Sequence, residues 1–252
     1  MEHKVQDNWY ESFFSGINCE MWETAIPEEF SEKEADYLIE VMGVEKGANL
    51  LDMPCGYGRL AIPLANKGFN LTCIDISEQF LRGLDKKVVE EKLPIRVIRG
   101  NILTLEITGN YDGAYCTGNS FGYFDFAGMK LFVKKITDCL KPGARLIINS
   151  GMVAESILRN YPLEKTYNLG DLTMKINNEY FVMDSCMVSH LSYTKNGHSE
   201  HHSYKHYVYT IGEIKRLLAS FDLQIIALHS GFHKKSFELG DQQVYIVCEK
   251  RN

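Results

Sequence analysis

The stretch Asn49-Leu50-Leu51-Asp52-Met53-Pro54-Cys55-Gly56-Tyr57-Gly58-Arg59-Leu60-Ala61 decides the reading of this chain. An apolar run of strand length leads into a glycine turn and then the start of a helix. A glycine at such a turn has no Cβ, so a ligand can lie against bare backbone. Further on, Leu71-Thr72-Cys73-Ile74-Asp75-Ile76-Ser77 is a second apolar strand that ends in an acid. A carboxylate at the tip of the second strand is placed to accept two hydrogen bonds from a ribose diol. Together the two signals point to a nucleoside-bearing cofactor.

The nature of the cofactor turns on finer detail. Gly56-Tyr57-Gly58-Arg59-Leu60-Ala61 fits a loose dinucleotide fingerprint, with Ala61 in the third glycine position. An NAD-dependent enzyme is therefore one reading. Two details pull away from it. Asp52 closes the first strand, and a fixed carboxylate repels a pyrophosphate but attracts an α-amino group or a sulfonium. Gly118-Asn119-Ser120-Phe121-Gly122-Tyr123 follows the fourth strand, where a methyl acceptor would lie.

These pieces, with Gly100-Asn101-Ile102 and Tyr111-Asp112-Gly113-Ala114-Tyr115-Cys116, stand in the order of a known superfamily over about the first 150 residues. The chain resembles the class I S-adenosylmethionine-dependent methyltransferases of the small-molecule type. The motif set is specific for the superfamily and does not name a substrate. The resemblance implies a Rossmann-like α/β fold: a seven-stranded, mostly parallel sheet with helices on both faces and an antiparallel β insertion over the active site. It implies S-adenosylmethionine as cofactor. Gly56 and Gly58, with Pro54 and Cys55 in the same turn, would admit its methionine end. Asp52 would face its amino group, Asp75 its ribose, and Ile76 its adenine. Asn101 stands where the family often has Asp and can still accept a hydrogen bond through its carbonyl oxygen; Ile102 would pack on the ring. Thr117 and Gly118 would offer backbone to the cofactor amine. The run Gly118-Asn119-Ser120-Phe121 resembles N-methyltransferases of the glycine/sarcosine type, which makes Asn119 a candidate for acceptor contact.

Strands are expected at Asn49–Met53, Asn70–Asp75, Ile95–Arg99, Tyr111–Cys116 and Ala144–Ser150, and helices at Gly58–Lys67, Glu78–Lys92 and Ala127–Leu140. This alternation predicts a parallel sheet. Residues 151–209 break the rhythm. Leu163–Met174, Ile176–Val188 and Leu191–Tyr209 read as extended segments with an Asn196-Gly197 hairpin signal, hence an inserted substrate lid. A helix at Ile211–Phe221 and strands at Leu223–His229 and Gln242–Glu249 close the sheet, the last two as an antiparallel edge pair that the family resemblance implies. The chain reads as one domain over 1–252, with residues 1–45 as an N-terminal cap. Ser31 and Glu34 form an expected capping box. Tyr10, Phe13 or Trp22 is expected to fold over the cofactor.

The 252 residues are 45% hydrophobic and 24% charged, ordinary for a globular chain, and the formal net charge is −6. No run of Lys or Arg marks a basic groove, so a nucleic-acid substrate is disfavoured. The seven cysteines are scattered and include no CxxC pair, which favours a reducing, cytoplasmic setting without disulfides. The N-terminus lacks the apolar core of a signal peptide, and no apolar stretch is long enough to span a membrane.

Arg59 follows the glycine turn. It would pair with the cofactor carboxylate, steady the N-terminal cap, or simply hold a solvated head at a helix start. His198, His201, His202 and His206 cluster in one expected strand pair. Residues two or four apart on a strand diverge, and no acid or Cys completes a shell, so no metal site is expected. If a general base exists, His201 or Tyr207 is the expected choice, on the face shared with Lys205.

Methyl transfer to oxygen or nitrogen of a small-molecule acceptor is the reading that follows. An NAD-dependent enzyme, or a sensor that binds S-adenosylmethionine without turnover, is the alternative. Acceptor identity and oligomeric state are not legible in the sequence.

Overall fold

In the computed structural model, which describes residues 5–160 and 162–251, the chain opens with three helices: α1 (Tyr10–Phe13), α2 (Ile17–Ala25) and α3 (Glu28–Met42). Residues 1–4 of the expected cap and Tyr161 of the expected insertion lie outside the described residues. The alternating part follows as β1 (Asn49–Asp52), α4 (Ala61–Asn66), β2 (Asn70–Asp75), α5 (Glu78–Glu91), β3 (Ile95–Arg99), β4 (Tyr111–Cys116), α6 (Phe126–Cys139) and β5 (Leu140–Ser150). A short α7 (Ala154–Ile157) and a 3₁₀ turn (Leu158–Asn160) lead into β6 (Glu164–Leu169), β7 (Leu172–Phe181), β8 (Cys186–Lys195) and β9 (His198–Tyr207). Then come α8 (Ile211–Ala219), β10 (Leu223–His229) and β11 (Val244–Lys250).

Seven strands form the main sheet in the order β10-β11-β5-β4-β1-β2-β3. The pairs β1–β2, β2–β3, β1–β4 and β4–β5 are parallel, and β11 is antiparallel to both β5 and β10. The strand order reverses between β1 and β4. A crevice opens at the carboxyl ends of the strands at such a switch point. Helices cover both faces, as expected from the alternation. Adjacent strand residues therefore enter opposite cores: Leu51, Ala114, Leu146 and Ile148 meet α6 and α8, while Leu50, Tyr115 and Ile147 meet α3 and α4.

The inserted segment is a separate four-stranded antiparallel sheet in the order β6-β7-β8-β9. The sequence led us to expect three extended segments; there are four strands. Gly170, at φ +63, turns the first expected segment back on itself, and a turn ending at Ser185, φ +47, splits the next. Asn196 and Gly197 sit at φ +51 and +78, as an Asn-Gly hairpin requires. The inner face of this sheet packs Leu172, Met174, Leu191 and Tyr193 against Trp9, Phe13, Ile17 and Met21 of the N-terminal segment.

Two local expectations are corrected. Ser31 and Glu34 do not form a capping box, because α3 begins at Glu28, directly after Pro27, whose fixed φ of −60 suits a helix entry. Both residues lie buried inside the helix. Helix α4 begins at Ala61 rather than Gly58, since Cys55–Leu60 are spent on the turn. Among the described residues, no helix is long and apolar enough to cross a membrane.

Candidate functional site

The turn after β1 is fixed by its neighbours on both sides. Met53 N–H donates to Tyr115 O of β4 (3.2 Å), and Cys55 N–H to Ile74 O of β2 (2.9 Å). Gly56 N–H donates to Asp75 Oδ2 (2.7 Å), while Ser77 N–H donates to Asp75 Oδ1 (2.8 Å). The carboxylate is thus oriented by main-chain donors on both oxygens. The helix-capping role that competes for an acid here falls to Ser77, whose Oγ accepts from Phe80 N–H.

Two glycines open onto the crevice. Gly56 has φ +54 and Gly118 φ +67, and a Cβ added to either would meet nothing within 4 Å. Such a Cβ would project into the space a ligand needs. Gly58 is different: at φ +79, its added Cβ would lie 2.5 Å from Leu84 Cδ1. It does not line the crevice, and its expected cofactor contact is corrected to a packing role against α5.

The crevice offers about 1090 Å³ of empty space, the open solvent at its mouth included. Asp52, Pro54, Cys55 and Gly56 line it from β1 and its turn, and Asp75 and Ile76 from β2. Asn101 and Ile102 line it beyond β3, Thr117 and Gly118 beyond β4, and Tyr10 and Trp22 from the N-terminal helices. The sequence reading did not assign Phe14, Tyr57, Phe80, Phe124 and Phe132, which also line it. Their only signal was aromatic content close to the motifs. The Trp22 Nε1 donor is buried there without a partner among the described residues. Asn101 is partly spent on structure: its Oδ1 accepts from Leu103 N–H (2.9 Å), and its Nδ2 donates to Glu11 of α1 (3.2 Å).

Asp52 and Asp75 are 2% and 5% exposed. Burial pushes the Asp52 carboxyl well above its ordinary range, against the opposing pull of the Tyr115 hydroxyl and the Arg59 charge. Burial likewise raises Asp75, opposed by its main-chain donors. Arg59 is the one cation among the described lining residues, and it is committed elsewhere. Its Nη1 lies 2.6 Å from Glu34 Oε2, and Tyr245 Oη donates to Glu34 Oε1 (2.9 Å). Of the readings open for Arg59, the structure shows the tie to the N-terminal segment.

The expected acceptor-side residues are placed elsewhere. Asn119 does not line the crevice. Its Oδ1 accepts from Gly151 N–H (2.6 Å), so its side chain joins β4 to β5. His201 and Tyr207 were expected on the pocket face of β9; they lie on the other. The register pairs His201 with Ser192, on the outer face, where His201 is exposed and hydrogen-bonded to Ser192 (3.0 Å). Tyr207 sits beneath Lys205 Nζ, 5.6 Å from its ring centre. The inner face carries Glu200, His202, Tyr204 and His206 instead: Glu200 pairs with Tyr193 and His202 with Leu191, which pack on the N-terminal helices, and Tyr204 and His206 follow by alternation.

This cradle fits S-adenosylmethionine by the chemistry of its donor set. Two buried carboxylates suit a diol and a cationic amine, and repel a pyrophosphate. Two Cβ-free positions leave room for a ligand beside them. A family model described as "Methyltransferase domain" matches residues 50–143. Rat (Rattus norvegicus) glycine N-methyltransferase is 25% identical over 210 residues, covering 69% of this chain and 66% of its own, so the match spans just under two thirds of that relative. The fold is shared with an S-adenosylmethionine-dependent methyltransferase from Clostridium acetobutylicum: TM-score 0.80, 18% identity, covering 94% of this chain and 97% of that one. It is also shared with CalS10, an amino pentose methyltransferase from Micromonospora echinaspora solved with SAM bound: TM-score 0.68, 14% identity, covering 95% and 98%. Residues 50–143 thus carry a methyltransferase domain, seated on a fold that the chain shares with S-adenosylmethionine-dependent methyltransferases.

Proposed function

We propose that the protein transfers a methyl group from S-adenosylmethionine to oxygen or nitrogen of a small, predominantly apolar acceptor. The observation that carries the reading is the Asp75 carboxylate, held by Gly56 and Ser77 beside two glycines that open onto an aromatic crevice.

The cofactor, when bound, supplies a methyl group already activated on a sulfonium. The chain's own residues hold and enclose it. Asp75 would take the ribose hydroxyls and Asp52 the α-amino group. Ile76 and Ile102 would pack on the adenine, with Asn101 at its edge. Gly56 and Gly118 would let backbone come close to the methionine end. Tyr10, Phe14, Trp22 and Tyr123 line the same space, and aromatic faces stabilise a nearby cation. These rings also exclude water, and collinear positioning in a dry site is most of what methyl transfer asks of a protein. A neutral amine acceptor needs no general base at the moment of transfer.

A small-molecule acceptor is in keeping with the amino pentose and glycine methyltransferases named above. The aromatic walls, and the pairing of Arg59 with Glu34, favour an acceptor without a carboxylate. Calorimetric titration with S-adenosylmethionine, S-adenosylhomocysteine and NAD(H), followed by incubation with methyl-labelled cofactor and a metabolite pool, tests the reading. Micromolar binding of the first two and label in a small molecule is expected. Selective NAD(H) binding would overturn it, and cofactor binding without transfer to any acceptor would make the protein a sensor.

A further inference from the structure

We propose that His206 is a positioning residue for this site: its imidazole pins the bend after β4, and with it the Thr117–Gly118 backbone that faces the cofactor. The proposal rests on the cofactor reading above.

The bend is unusual in its backbone. Gly118 and Asn119 are consecutive residues in left-handed conformation, at φ +67 and +65. Asn tolerates that region better than most residues but does not select it unaided. Something outside the bend must hold it. Its members hold one another only in part: Ser120 Oγ donates to Thr117 O (3.0 Å). Gly151 N–H holds the Asn119 side chain from β5. The remaining grip comes from β9. His206 Nε2 lies 2.9 Å from Asn119 O, and Tyr207 N–H donates to Gly122 O (2.8 Å).

His206 is 1% exposed and does not line the crevice, so it acts through the bend and touches no ligand. Its Nδ1 faces Tyr207 O at 3.1 Å. Both ring nitrogens therefore face acceptors, and a neutral imidazole has one N–H to give. Burial keeps the ring neutral, its pKa pushed down to about 4. We place the N–H on Nε2, the shorter contact. The approach is tight on the far side as well. A Cβ added to Gly122, φ +114, would lie 2.3 Å from His206 Cε1 and 2.7 Å from Tyr207 O. The edge of the imidazole also meets the Tyr123 ring, centroids 5.7 Å apart, and Tyr123 lines the crevice. One side chain of the inserted sheet thus sets both the backbone and an aromatic wall of the site.

The test compares four variants by calorimetric affinity for S-adenosylhomocysteine, with melting curves to establish folding. His206→Phe keeps a ring and removes the donor. His206→Gln keeps an amide donor for Asn119 O. Gly122→Ala pushes the ring from the other side. Leu218→Ala opens a cavity in the last turn of α8, outside the bend. Weakening of about tenfold or more is expected in His206→Phe and Gly122→Ala, about 1.4 kcal/mol per tenfold. His206→Gln should recover affinity to within about threefold of wild type, and Leu218→Ala should melt lower and bind normally. If His206→Phe does not melt cooperatively, Gly122→Ala and His206→Gln decide. Wild-type affinity in folded His206→Phe or Gly122→Ala, or equal weakening in Leu218→Ala, overturns the proposal and leaves the cofactor reading standing. A wild-type protein that does not bind S-adenosylhomocysteine sinks both.

Discussion

The main-chain N–H of Gly56 donates to the Asp75 carboxylate at 2.7 Å, so the glycine turn after β1 and the acid ending β2 are one unit. Neither can be placed without the other. The sequence presents them as separate motifs, yet their joint geometry gives the crevice its cofactor chemistry. The oxygen that steadies the turn belongs to the same carboxylate that a ribose would meet.

Asp75→Ala removes both functions at once. A hydrogen bond to a charged group contributes about 1.5–3 kcal/mol, and two of them correspond to about 100-fold or more in affinity. The dissociation constant for S-adenosylhomocysteine should rise by at least that factor by calorimetry, and the melting temperature should fall because Gly56 and Ser77 N–H lose their acceptor. Wild-type affinity in a folded Asp75→Ala would remove the carboxylate from the site.

Gly118 and Gly58 should separate binding from stability. Gly118→Ala puts a methyl group into the crevice, where no protein atom lies within 4 Å, so affinity falls most, with a smaller loss from the φ of +67. Gly58→Ala drives a Cβ to 2.5 Å from Leu84 Cδ1 and should cost about 1–3 kcal/mol of overpacking in addition to backbone strain. Denaturant unfolding beside cofactor titration checks the pair. Loss of affinity in Gly58→Ala without loss of stability would reverse the assignment.

The sheet was legible because strand rhythm and glycine turn repeat one signal at several levels: Leu50 and Leu51 read as buried whichever face they meet. So was the meeting of Gly56 and Asp75 on one crevice, which depends on local chain geometry. Gly58 carried the same fingerprint and proved to be packing, since only the position of α5 distinguishes a glycine facing a ligand from one facing Leu84. The face of β9 was not legible at all. His201 and His202 are polar neighbours, and which one turns inward is decided by register with Ser192 and Leu191 across the hairpin. Glu34 looked like a cap residue because it stands three residues after a Ser. Its partner Arg59 lies in another element, and no local pattern announces a buried ion pair.

Buried His206 should give the protein a specific acid sensitivity. Its folded pKa is about 4 against about 6.5 for an unperturbed imidazole. Between those values the unfolded chain takes up a proton that the folded one refuses, so stability falls as pH drops from about 6.5 to 4. At about 1.4 kcal/mol per unit the loss approaches about 3 kcal/mol. Asp52 and Asp75, raised by burial, act in the opposite sense: they cost stability as pH rises past the ordinary carboxylate range. A difference measurement isolates the histidine. The stability advantage of wild type over His206→Gln should shrink between pH 7 and pH 4 in urea unfolding. A constant difference would mean that the imidazole takes up its proton in the fold as readily as in the unfolded chain.

The pair Arg59–Glu34, 12% and 1% exposed, should behave as a buried ion pair does. Glu34→Gln leaves the guanidinium without its counter-charge and should cost about 3–5 kcal/mol. The double variant Arg59→Met, Glu34→Leu should recover most of that in denaturant unfolding, because well-packed apolar replacements of such pairs are often close to neutral. No recovery would show that the two charges act independently.

Glycine should be a poor acceptor, although a glycine N-methyltransferase is among the curated relatives. Bound glycine brings a carboxylate, which must find a cation or remain solvated. Among the described lining residues the one cation is Arg59, and Glu34 already holds it at 2.6 Å. The two acidic groups on the walls, Asp52 and Asp75, offer an anion no counter-charge. A free amino acid would therefore lose its hydration without gaining a partner. A neutral aromatic amine or phenol would lose little and gain contact with the rings of Tyr10, Phe14, Trp22 and Tyr123. At equal millimolar concentrations, label transfer from methyl-labelled cofactor to glycine should stay at background, while at least one neutral aromatic acceptor rises at least about tenfold above it. Glu34→Gln, which frees Arg59, should then raise the glycine rate relative to the aromatic one. Efficient glycine turnover by the wild-type protein would mean that a cation reaches the acceptor after all, and that Arg59 leaves Glu34 when the site fills.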